Sequence, residues 1–244
     1  MERKSYIFIA MYICLQVSIL AQTTPESNIY RAYISGNMNE WKNQMNAYQA
    51  TTQEQKLALI NYHYGYIAYC IGNKKKSEAE QYLTKAEKLL SVLEKVQYKL
   101  SLVYAYKSAF TGFHIGISPH KAPFLGKQSL DYAQKSLSID KNNYFAYLQL
   151  GNIAFYTPAM FGGSKTEALK HYLKALELME KNANSLIGNW NYLNLLVTII
   201  NAFYEVGQYE TAKRYCEKTL AIEPQFDWVK NHVYPKVLKK LKNE

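Results

Sequence analysis

The chain carries only three cysteines, Cys14, Cys70 and Cys216, and none is close enough to another to form a paired-cysteine metal signature. It has no HExxH, no G-x-S-x-G and no phosphate-binding loop. The residue spacings of zinc hydrolysis, serine acyl transfer and nucleotide binding are therefore missing. Acidic side chains are scarce, 19 against 29 lysines and arginines, for a formal charge of +10. Beyond the N-terminus no segment stays apolar for the ~18 residues that a membrane-spanning helix needs. Hydrophobic residues still make up 48% of the chain, which argues for a folded protein over a disordered one.

Tyrosine is the residue in excess, with 23 copies. Its ring fills space between helices while its hydroxyl stays available to water or a ligand. The N-terminus reads as an export signal: Arg3 and Lys4, an apolar run from Tyr6 to Leu20, then the small Ala21. As a helix, Tyr6–Ala21 would span about 24 Å, short of the ~30 Å hydrocarbon core, which favours a cleaved signal over residues 1–21. Cleavage would remove Glu2, Arg3 and Lys4, lowering the charge by one, and would leave Cys70 and Cys216 as buried free thiols. A basic exported protein faces anionic lipid head groups, envelope polymers or an acidic partner; a solubilising lysine surface is the plain alternative. Nucleic acid is not an expected partner there.

Leu193–Pro224 organises the rest. Within it Leu196-x-x-Ile199-Ile200-x-x-Phe203 marks one apolar helix face and Ala212-x-x-x-Cys216 a second, with Gly207 between them and Pro224 as the stop. This spacing resembles the tetratricopeptide repeat, a helix–turn–helix unit in which a small residue such as Ala212 lets two helices cross closely. The resemblance implies an all-α, tetratricopeptide-type α-solenoid: a polar leader over 22–27, about five units over 28–224, and a C-terminal capping helix over 225–244.

The other units follow in order. The first, Asn28 to Ala50, turns at Gly36 and places Trp41 where later units have Ala or Ser, as an atypical terminal unit would. The second reads Asn61-x-x-Tyr64-Gly65-x-x-Ala68, then Ala79-x-x-x-Leu83-x-x-Ala86. Its turn, GNKKKSE, counts two residues longer than that of the Leu193–Pro224 unit, with Ser77 and Glu80 as a candidate capping box. The third has a clear second helix through Ser129, Ala133 and Ser136. Before it comes TGFHIGISPHKAPFLGK, expected as an ordered loop or short-helix excursion. His114 and His120 fall in that stretch without a carboxylate or cysteine between them, which is poor spacing for a metal. The fourth runs Tyr147-x-x-Leu150-Gly151-x-x-Ala154, then Ala168-x-x-x-Tyr172-x-x-Ala175. Its turn is five residues longer, and Ser164 with Glu167 forms a second capping-box candidate. Asp227 can cap the final helix, which carries Lys230, Lys236, Lys239, Lys240 and Lys242 and which Pro235 should kink or restart.

With no catalytic constellation, and His171 most simply a surface pair with Glu167, the chain is not expected to be an enzyme and no cofactor is assigned. In tetratricopeptide arrays the first helix of each unit lines a concave groove. Those positions fall here on Tyr62, Tyr66 and Tyr69, on Leu148, Asn152, Phe155 and Tyr156, and on Val197, Asn201 and Tyr204. Some family members use an asparagine at the Asn152 and Asn201 position to bond an extended peptide. The lysine of their carboxylate clamp is replaced by Leu148 and Val197. The expectation is thus an exported, periplasmic, non-enzymatic scaffold holding a protein or peptide partner in an aromatic groove. A further stretch, GNIAFYTPAMFGGSKTEALKHYLKAL, resembles the T component associated with tripartite periplasmic transporters. That resemblance implies the alternative of a periplasmic small-molecule binder with oligomers and a channel. Envelope-surface contact through the basic terminal helix is a third reading.

Overall fold

The computed structural model describes residues 24–181 and 186–242. The expected export signal over 1–21 lies outside the described residues, as do the first residues of the leader and part of the linker before Trp190. Within them the chain is all-α. The helices are α1 (Pro25–Ile34), α2 (Met38–Ala47), α3 (Gln53–Gly72), α4 (Lys76–Lys95), α5 (Leu100–Ile117) and α6 (Ala122–Ile139). There follow α7 (Tyr144–Tyr156), α8 (Lys165–Glu180), α9 (Trp190–Glu205), α10 (Tyr209–Ile222) and α11 (Tyr234–Leu241). Successive helices pair as hairpins, α1 with α2 through α9 with α10, and each hairpin packs on the next.

One hydrogen bond sets the geometry of the hairpins. The amide of the residue preceding the second helix reaches a carbonyl near the end of the first: Asn37 to Ala32 at 2.9 Å, Lys75 to Cys70 at 2.8 Å, Gln208 to Phe203 at 2.9 Å. The residue just before it takes the left-handed conformation such a turn needs, at Gly36, Lys74 and Gly207. Ser164 makes the same bond to Ala154 at 2.9 Å across the longer excursion of Thr157–Gly163. Ala32, Cys70, Ala154 and Phe203 are therefore equivalent. Ala79, Ala168 and Ala212 each stand at the fourth residue of their second helix, fully buried, with Trp41 at that place in α2. In α6 the small residue is Ser129, whose hydroxyl donates to the Ser108 carbonyl at 2.9 Å.

This alignment corrects two expectations. The α3–α4 turn is no longer than the α9–α10 turn; the two extra residues lie inside α3. The second unit's register consequently shifts, and Ile67, not Gly65, matches Gly151. Ser77 is not a cap, because α4 begins at Lys76 without a side-chain cap bond. The second candidate does cap: the Ser164 hydroxyl accepts from the Glu167 amide at 3.2 Å.

The stretch after Thr111 is also more regular than a loop. Helix α5 continues to Ile117, a single 3-10 turn covers Pro119–Lys121, and α6 starts at Ala122. Pro119 and Pro123 both sit in first turns, where a missing N–H costs nothing. His114 bonds Glu87 at 2.8 Å, and no cluster of metal-binding side chains occurs among the described residues. Cys70 and Cys216 are free and buried. Near the C-terminus a π-helical turn, Val229–Val233, runs into α11. The Tyr234 amide there reaches back to Val229, and the widened turn accommodates the donor-less Pro235.

The row of hairpins curves until its ends meet. Helix α1 touches α9, the Tyr30 hydroxyl donates to Glu223 at 2.9 Å, and the Tyr33 hydroxyl donates to Asn194 at 3.2 Å. Trp41 of α2 crosses Trp190 of α9 edge to face at 4.9 Å, and its ring nitrogen donates to the Tyr62 carbonyl at 3.0 Å. The bulky residue in the terminal unit is thus the piece that joins the two ends.

Candidate functional site

The inner face is formed by α3, α5, α7 and α9, and its two halves differ. Toward the N-terminal ends of these helices the space is filled. Tyr64 meets Phe145 at 5.1 Å and Trp190 at 6.4 Å, while Tyr106 meets Phe145 at 4.5 Å. The Asn61 amide ties the helices together, donating to the Tyr106 hydroxyl at 2.8 Å and to Asn191 at 2.9 Å, while its carbonyl accepts from the Trp190 ring nitrogen at 3.0 Å.

Toward the C-terminal ends the inner face opens. With the alignment fixed by Cys70, Ala154 and Phe203, the equivalent positions are Ala68, Asn152 and Asn201. Both Ala68 and Asn201 are exposed. Tyr156, at the end of α7, stands 77% exposed with its ring 5.1 Å from Phe155. Surrounding protein nevertheless raises its hydroxyl pKa by desolvation, opposed by Lys165. The Tyr156 ring is thus an exposed aromatic face at the edge of the inner helices.

Behind Tyr156 lies a set of polar atoms. The Tyr172 hydroxyl donates to Asn152 Oδ1 at 3.0 Å, and Asn152 Nδ2 donates to Gln149 Oε1 at 3.2 Å. The Gln149 Nε2 atom is buried and makes no well-formed hydrogen bond. Burial pushes the Tyr64 hydroxyl up to about 12, with the Gln149 and Asn152 amides pulling it down and the Tyr156 hydroxyl raising it. Tyr172 is raised further, by burial first and then by Tyr156 and Tyr64. No nucleophile–base pair is present in this set. Its chemistry is that of a binding surface: aromatic faces with phenol and amide groups at their edge.

The sequence-derived groove residues divide accordingly. Asn152, Phe155, Tyr156 and Asn201 lie on or beside the open half. Tyr204 turns toward α10 and α11, with the Lys236 ammonium 4.0 Å above its ring. The second-unit trio lies elsewhere, as the shifted register requires. Tyr62 packs against Tyr48 at 5.5 Å, Tyr66 is buried and donates to Glu78 at 3.0 Å, and Tyr69 lies under Lys75 at 4.9 Å. The inner face instead receives Tyr64 and Ala68 from α3. Gln149 was missed. Its signal was there, since Gln149 and Asn152 are the only amides in the otherwise apolar Tyr144–Tyr156.

No protein-family model matches the chain, and no curated protein matches it. Among solved structures it is similar to the HusA haemophore from Porphyromonas gingivalis. The TM-score is 0.57 at 19% identity, over 75% of this chain and 96% of that one. That likeness is one of fold. No helix among the described residues is long and apolar enough to cross a membrane.

Proposed function

We propose that this chain is an exported, non-enzymatic binding protein of the bacterial envelope, built from tetratricopeptide-type hairpins. Its ligand is a flat, largely apolar molecule of the porphyrin class, held at the open half of the inner face. The observation that carries the reading is the exposed aromatic and amide surface of the open half, Tyr156 and Asn201 beside Asn152, in a fold similar to that of a solved haemophore. Aromatic faces at Tyr156 and Phe155 supply apolar contact, while Asn201 supplies a polar anchor at its edge. Lys236, whose ammonium lies over the Tyr204 ring, adds positive charge near the rim, which suits a ligand with carboxylates.

An extended peptide or protein partner in the groove is the second reading, favoured by the equivalence of Asn152 and Asn201. It is the weaker one, because Asn152 already uses both amide groups internally and the filled half leaves no continuous trough.

Titration of the full chain with haem, followed in the Soret region, tests the proposal. Saturable binding is expected, weakened at least about tenfold by Tyr156→Ala, with metal-free protoporphyrin also retained because the contacts are to the ring. Absence of binding by both porphyrins would remove the reading and leave the peptide alternative.

A further inference from the structure

The hairpin turns lie on two edges of the array. At the front edge, where first helices end and second helices begin, adjacent units meet: Lys42 pairs with Glu78, Ile71 lies against Gly116, and Lys165 pairs with Glu205. At this edge three large apolar side chains stand in water: Phe124 at 81%, Met160 at 82% and Phe161 at 72% exposed. They come from two consecutive turns, the α5–α6 hairpin tip and the α7–α8 excursion. No internal packing accounts for them. The α7–α8 excursion is itself firmly built, since a side chain at Gly163 would collide with the Thr157 carbonyl.

Charge at the same edge has one prevailing sign. Lys74, Lys76 and Lys121 lie in or beside the front turns without an ion pair, and Lys75 lies over the Tyr69 ring. Helix α11 returns to this edge and adds Lys236 over Tyr204 and Lys240 over Tyr209. Of the carboxylates beside the turns, Glu78, Glu167 and Glu205 are each matched by a lysine, while Glu40 and Glu210 stand in the first turns of α2 and α10 without an ion pair among the described residues. From Lys95 to Leu130 and from Lys141 to Thr166 the sequence contains no acidic residue. The back edge is mixed in charge: its turns carry Asp140, Glu223 and Asp227 together with Lys95, Lys99 and Lys141. Its exposed apolar side chains, Val96, Ile139, Ile187 and Trp228, are spread over several separate turns.

We propose that the front edge docks on an anionic lipid surface, with Phe124, Met160 and Phe161 inserted at the head-group boundary and the flanking lysines against lipid phosphates. Exposed aromatics between lysines match that boundary in both polarity and charge. The inference does not depend on the porphyrin reading, whose failure would leave it standing.

The test places a tryptophan on each edge of the full chain, Phe161→Trp or Ile187→Trp, and measures quenching by lipids with brominated chains. In phosphatidylglycerol vesicles the first variant should be quenched beyond the wild-type background and the second should not. Quenching should weaken at least about tenfold in phosphatidylcholine vesicles, in high salt, or with Phe124→Ser and Met160→Ser added. Equal quenching on both edges would overturn the proposal. So would no quenching at all, including the case where gel filtration shows a dimer that the serine variants dissolve.

Discussion

Around Trp190 the inner helices meet face to face; toward Tyr156 the same helices leave side chains exposed. The difference is not one of repeat geometry, because both halves belong to one set of aligned hairpins. It lies in what the terminal unit contributes. Trp41 and Tyr33 reach across and fill the first half, with Tyr33 against Trp190 at 5.6 Å and Phe226 at 5.1 Å, and nothing comparable enters the second. A stack of two-helix units thus becomes either core or binding surface according to the side chains its ends insert.

Removing the filler should break the closed half most. Trp190→Ala leaves Trp41, Tyr33, Tyr64 and Asn61 facing a void, and truncation of a buried aromatic costs about 3–5 kcal/mol. Denaturant unfolding should show that loss, and scattering should show a looser particle as α1 and α9 separate.

Acid should weaken the packing of α3 on α4, behind the closed half. His63 is buried one residue before Tyr64, its ring Nδ1 on the Leu59 carbonyl at 2.8 Å, with Tyr82 and Lys85 of α4 facing it. Burial lowers its pKa from 6.5 to about 4, with Lys85 adding to the fall and the Leu59 carbonyl opposing it. The folded protein therefore resists a proton that the unfolded chain accepts. Stability should be whole above pH 6.5 and decline as pH falls toward 4, by about 3 kcal/mol at most. His63→Gln should flatten that slope in unfolding measured across the interval.

The smallest effect belongs to the open half. Tyr156→Ala should change unfolding free energy by less than about 0.5 kcal/mol, since an exposed ring contributes little to the fold. The same substitution is expected to weaken porphyrin binding, so the two halves separate stability from recognition.

Much of this architecture was legible. The Leu193–Pro224 spacing gave both helices of that hairpin, and Ala79, Ser129, Ala168 and Ala212 proved to be the buried small residues of their second helices. The second unit's register was not legible, and Gly65 is the reason. It resembled Gly151, which makes room for Tyr172 within its own hairpin. A side chain at Gly65 would instead lie 2.7 Å from Trp41 of the preceding hairpin and 2.8 Å from Trp190, the second a contact made only when the array closes. A glycine records that something comes close, without recording what. The two-residue miscount at Lys74 had a related origin: a lysine held in the left-handed conformation does a job usually left to glycine. Tyr62, Tyr66 and Tyr69 were assigned to the groove through that miscount.

The bond between Tyr30 and Glu223 joins residues 193 positions apart. A row of units open at both ends can fray from its outermost members while the middle survives. A row whose ends grip one another offers no such starting point. The first hairpin cannot detach without stripping the last, and amide protons in α1 should then exchange as slowly as those in α9. Contacts of such long reach form late, so the chain should refold slowly for an all-helical protein and melt in a single step.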